Sequence, residues 1–111
     1  MLNHIKMTNM KWYHYVATFF AGAFLVNALP HFFHGISGDP FPTPFSHPAG
    51  KGLSSPFVNV LWGCFNLVVG YVLLSVSKTS AKNKLSMLVL FLAVLAISIQ
   101  MSLTFVDKVK F

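Results

Sequence analysis

Two histidines one helical turn apart, His31 and His34, are the residues of this chain best suited to chemistry. Imidazoles at i and i+3 can share a metal ion, and His47 or Asp39 would supply further ligands. Imidazole also titrates near neutrality, so the same pair can relay protons or contact a substrate. The plainer role is structural, with hydrogen bonds to nearby amides or headgroups that anchor a loop. Histidines facing each other in an oligomer would also suit a b-type haem. The sequence has no cysteine pair and no carboxylate-rich helix to select among these readings. Asp39 with His31, His34 or His47 is the acid–base set available to an enzyme, and no spacing picks out a reaction.

Amides extend the set. Asn27, His31 and His34 are spaced i, i+4, i+7, which places them on one helical face with Phe20 and Phe24. Asn59, Gly63, Asn66 and Gly70 form a second stripe, and Ala93, Ala96, Gln100 and Thr104 a third. Polar side chains left facing hydrocarbon are costly. The three stripes are therefore expected to face one another, small residues letting backbones approach and amides bonding across. The candidate ligand- or proton-handling residues are Asn27, His31, His34, Asn59, Asn66 and Gln100; the candidate metal ligands are His31, His34 and His47.

Two other features carry weaker chemistry. Met1, His4, Met7 and Met10 recur every third residue, as soft-metal stretches do, but Met1 is the initiator and the rest also fit one face of an interfacial helix. Cys64 has no neighbouring base or positive charge to make it a nucleophile.

The elements that must position these residues are membrane spans. Of 111 residues, 55% are hydrophobic and 9% charged, against about 25% charged in a soluble domain. Three apolar runs, Trp12–Phe33, Phe57–Ser77 and Leu85–Val106, contain no Lys, Arg, Asp or Glu. Each reaches the roughly 20 residues that cross a bilayer as helix. The fold class expected is an all-α membrane protein forming one integral domain. It has spans over 12–34, 56–77 and 85–106, a proline-rich loop over 35–55 and a short loop over 78–84. The first run is too long for a signal peptide and lacks a clear cleavage site.

Thr8 or Asn9 is expected to cap the first helix and Gly35 to end it; Ser55 with Pro56 should start the second, and Ser80 should cap the third. Pro30 should kink the first helix by leaving the Val26 carbonyl without its intrahelical donor. Pro40, Pro42, Pro44 and Pro48 forbid helix in the long loop, whose phenylalanines suggest an extended strap on the membrane interface.

All eight cations are lysines. Arginine, the residue suited to bidentate phosphate and base recognition, is absent, which argues against nucleic acid as a partner. Lys6, Lys11, Lys78, Lys82 and Lys84 fall on one side of the membrane, and Lys51, Lys108 and Lys110 on the other with both acids. The positive-inside rule then puts the N-terminus in the cytoplasm and the proline loop and C-terminus outside. Helix direction places the His/Asn cluster in the outer half of the bilayer, leaving scattered serines (Ser75, Ser77, Ser86) and Tyr71 in the inner half.

The strings Asn27-Ala28-Leu29-Pro30-His31-Phe32-Phe33-His34-Gly35 with Gly38, Phe41-Pro42-Thr43-Pro44-Phe45, Ser54-Ser55-Pro56 and Asn59-Val60-Leu61-Trp62-Gly63 cover most of residues 27 to 70. In them the chain resembles small, uncharacterised bacterial integral membrane proteins. That resemblance implies a bacterial inner-membrane location and nothing catalytic.

The function these residues suggest is a small binding or accessory membrane subunit, a homo-oligomer or a part of a larger complex in the lipid bilayer. The alternatives are a small oligomeric transporter or channel gated by histidine, and a membrane enzyme or metal- or haem-binding protein using His31 and His34.

Overall fold

The computed structural model describes residues 9–108. Its elements are three long helices, α1 (Trp12–Ile36), α2 (Pro56–Val76) and α3 (Lys84–Thr104), with a 3₁₀ turn at Phe105–Asp107. All three helices are long and apolar enough to cross a membrane. At 1.5 Å per residue even the 21-residue α2 and α3 reach about 31 Å, the thickness of the hydrocarbon core. The protein is thus an all-helical membrane protein whose chain crosses up, down and up.

Local chemistry sets the boundaries. Ser55 caps α2 as its hydroxyl accepts from the Val58 amide, and Pro56 follows at the first helical position. The α3 cap is Asn83, whose side-chain oxygen accepts from the Leu85 and Ser86 amides. Ser80 lies upstream, held by Ser86 through its own amide and carbonyl. α1 begins after Lys11, whose amide donates to His14 Nδ1, so Asn9 is not its cap. Thr8, Lys6 and most of the Met1/His4/Met7/Met10 stretch lie outside the described residues, as does Lys110. At its other end α1 runs unbroken through Pro30 and one residue past Gly35, closing at Ser37.

Helix α1 is the centre of the molecule. It packs against α2 along one side and α3 along another, while among the described residues no Cα of α2 lies within 8 Å of one of α3. The buried residues of α2 are Asn59, Gly63, Asn66 and Gly70, the whole polar and small stripe. α3 meets α1 through Ala93, which lies against Gly22. Only 6% of its apolar span is buried.

The proline loop folds on itself. Phe41 and Ser54 pair as an antiparallel bridge through both backbone hydrogen bonds, and Thr43 Oγ1 lies 2.6 Å from Ser54 Oγ. Thr43 O also accepts from the Gly50 amide and the Ser46 hydroxyl. Phe41, Pro42 and Thr43 are buried while Phe45 is exposed. Proline excluded helix as expected, but internal pairing of backbone polar groups, which every apolar setting rewards, makes this a plug where an extended strap was expected.

The far end has its own polar knot. Thr18, Ser77 and Ser86 are fully buried, and Thr79 Oγ1 bonds both Thr18 and Ser77 at 2.7 and 2.6 Å. Asn83 donates to Met10 Sδ and to the Tyr15 hydroxyl. Ser77 and Ser86, expected to be scattered there, are drawn into it because the turn over residues 77–83 folds back onto α1, while Ser75 stays exposed and donates to the Tyr71 carbonyl of its own helix.

The lysine bias predicts which end is cytoplasmic. With Cys64 replaced first, a single cysteine in the Lys78–Lys84 turn should resist an impermeant thiol reagent in intact cells, and one at Pro44 should react. The reverse pattern would invert the orientation. Labelling of both from one side would break the three-span topology.

Candidate functional site

Where α1 meets α2 near the loop, the two polar stripes join. His31 Nδ1 is 2.9 Å from Asn59 Oδ1, and Asn27 Nδ2 donates to Asn66 Oδ1 at 3.2 Å. His31, Asn59 and Asn66 are 2%, 0% and 1% exposed. Asn66 also donates to the Trp62 carbonyl of its own helix. Asn59 donates to the carbonyls of Phe41, Ser54 and Ser55 at 2.9, 3.2 and 3.0 Å. One side chain therefore fastens α1, α2 and both strands of the loop bridge.

Those bonds also fix a tautomer. The Asn59 nitrogen is committed to three carbonyls, so its oxygen faces His31, and His31 Nδ1 must carry the hydrogen. In the uncharged ring Nε2 is then a lone-pair acceptor. Among the described residues no hydrogen bond reaches it. The ring lies edge-on to Phe41, Trp62 and Phe105.

His31 lines a cavity of about 340 Å³ beneath the loop. Asn27 and Gln100 line it with Thr104, Phe105, Pro42 and Thr43. A second lobe of about 260 Å³ continues from Asn27 and Gln100 along α1, past Ala23, Phe24 and Phe20, with Asn66 and Ile97 at its sides. Together the lobes are the cleft left because α2 and α3 pack on different sides of α1.

Gln100 occupies the cleft without joining the network. Its amide donates to Thr104 one turn on, at 2.8 Å, and its side chain is exposed. The expectation that three stripes interlock thus holds for two. The third supplies Ala93 to the packing and leaves Ala96 and Gln100 open, because α3 packs on α1 and, among the described residues, has no Cα within 8 Å of one of α2.

His34 faces elsewhere. Its ring stacks on Phe41, with centroids 4.2 Å apart and planes 15° from parallel, and its Nδ1 is 3.9 Å from Asp39 Oδ2. The Asp39 amide donates to the His34 carbonyl. These contacts pin the start of the loop. His47 is exposed on the loop's far side. Among the described residues no three His, Cys, Asp or Glu side chains gather as a metal set, and His31, His34 and His47 do not. Cys64 is exposed on the outer face of α2.

Sequence reasoning missed the residues beyond the helices that line the cavity, Pro42 and Thr43 of the loop and Phe105 of the 3₁₀ turn. The Phe-Pro-Thr-Pro-Phe string marked a loop, but nothing in it told which phenylalanine turns inward.

No family model, curated protein or solved structure matches this chain.

Proposed function

We propose that this membrane protein is a small binding subunit, which holds an uncharged ligand in the pocket under its proline loop and works as an oligomer or within a larger membrane complex. One observation carries the reading. A buried histidine is locked by Asn59 in a single tautomer and lines a cavity, and its other nitrogen has no hydrogen-bond partner among the described residues. A purely structural histidine spends both nitrogens on the protein or shows one to bulk water. The cavity walls hold no charged side chain among the described residues, which favours an uncharged ligand. The lysine bias supports an outer-half position for this pocket, and the sequence resemblance supports a bacterial inner membrane as its location.

Support for assembly is separate. Only 6% of the apolar span of α3 is buried, and among the described residues α2 and α3 packed on α1 enclose no path across the membrane. A solute pathway would therefore require several chains.

Native mass spectrometry of protein extracted in mild detergent tests the reading. A non-protein mass should co-purify at fixed stoichiometry and be lost from the Asn27→Ala, Gln100→Leu double variant. Proteoliposomes should hold a proton gradient as well as protein-free vesicles. A gradient that collapses in the wild type and survives in the double variant would instead make the cleft a conduit. Absence of any bound mass across detergents would remove the binding role.

A further inference from the structure

The cleft is graded along its length. At the loop end its lining includes His31, Asn27, Gln100, Thr43 and Thr104, all polar. Toward the other end it offers Phe20, Ala23, Phe24 and Ile97. From Phe20 to His31 the helix rises about 16 Å, so the apolar lobe can take a hydrocarbon chain of medium length. Its open side lies between α2 and α3, whose Cα atoms stay more than 8 Å apart among the described residues, and so faces the bilayer core. A ligand would enter sideways from the membrane.

We propose that the occupant is an uncharged amphiphile with a hydroxyl head and a long apolar tail, the hydroxyl donating to His31 beneath the loop and the tail lying along Phe24 and Phe20. This rests on the pocket being a binding site and names the chemistry of what it takes. Three features select this class. With Nδ1 committed to Asn59, His31 presents an acceptor, which a hydroxyl satisfies and an ether or ester does not. The lining has no lysine to neutralise a phosphate: Lys108 borders a different hollow, with Val26, Leu29 and Pro30. The tail gains almost nothing by leaving lipid for an apolar groove, since both surroundings are equally dry. Selectivity must therefore come from the head, at the end where the unused hydrogen-bonding groups are.

The test uses full-length protein in nanodiscs of phosphatidylethanolamine and phosphatidylglycerol, with a diazirine-bearing hexadecanol as probe. Adducts should map to Phe24, Ile97 and Met101. Unlabelled hexadecanol should compete them away, and hexadecyl methyl ether should not. Gln100 is exposed and bonds only Thr104, so Gln100→Leu should fold normally and lose at least fivefold in specific labelling. Ala23→Phe should block tail entry while leaving the loop network intact.

Equal competition by the ether overturns the proposal, as does labelling spread evenly over the outward residues Val68 and Val72. Protection by phosphatidylglycerol alone would also overturn it, and so would a disulfide joining two copies through cysteines at Ile97, which would show the cleft filled by a second chain. If the co-purifying mass proves to be a water-soluble molecule that blocks a cysteine at Thr104, the pocket reading stands and the amphiphile falls. If neither it nor the alcohol binds, both fall together.

Discussion

Asn59→Ala should detach the proline loop from the helices and lower the melting temperature in detergent more than Asn66→Ala. Asn59 bonds His31 and three carbonyls, two of them on opposite strands of the loop bridge. The carbonyls each keep a backbone donor: Phe41 and Ser54 from one another, Ser55 from the Asn59 amide. The group orphaned by the change is therefore the buried His31 N–H, at a cost of roughly 1–3 kcal/mol, and the tie between α2 and the loop is lost as well. Asn66→Ala removes a bond to its own helix and one to Asn27, which is only part-buried and borders the cleft, so its cost is smaller. Trypsin gives a second readout, because Lys51 sits exposed in the loop and cleavage there should accelerate in Asn59→Ala. In a double-mutant cycle, His31→Ala with Asn59→Ala should cost less than the sum of the two by about 0.6 kcal/mol, the average such cycles give between membrane helices. Strict additivity would mean that the two residues do not act together.

How much of this was legible in the sequence depends on what each signal measures. Hydropathy over runs of twenty residues reports the phase in which a helix lives, and the three spans followed from it. Helical periodicity reports which residues share a face, so Asn59, Gly63, Asn66 and Gly70 were legible as the packing face of α2 and are its buried set. The facing of Asn27 and His31 toward that stripe followed from the cost of bare polar groups in lipid. The same cost argument failed on α3, because Gln100 and Thr104 satisfy each other along their own helix and need no partner from another. Periodicity fixes no relation between helices, so nothing showed that α3 would lean on α1 alone. The loop was illegible for a different reason. Prolines state what a segment cannot be, whereas the pairing of Phe41 with Ser54 depends on contacts thirteen residues apart. The polar knot around Thr79 and Thr18 was hidden likewise, since it forms only once a turn folds back on a helix.

Gly63→Leu should be among the most damaging changes in the spans, and Val69→Leu nearly neutral. A Cβ on Gly63 would lie 2.8 Å from the Phe32 amide nitrogen and 3.0 Å from its Cα. Those are backbone atoms of α1, which cannot rotate aside as a side-chain tip can, so the two helices must separate. Overpacking of this kind costs about 1–3 kcal/mol by itself. Gly63 also sits between Asn59 and Asn66 on the same stripe, and both helix-to-helix bonds, at 2.9 and 3.2 Å, lengthen with any separation. Each contributes about 0.6 kcal/mol by the average for such bonds. Val69 is off the stripe and only half-buried, so an added methylene there displaces lipid. The melting temperatures of the two variants should differ clearly in the same detergent. A further measurement separates helix separation from general damage. In a Gly63→Leu background, His31→Ala should cost little more, because the bond it removes is already broken. If Gly63→Leu melts with Val69→Leu, then α1 and α2 pack through another face. If His31→Ala keeps its full cost there, the histidine is held by something other than the approach of these two helices.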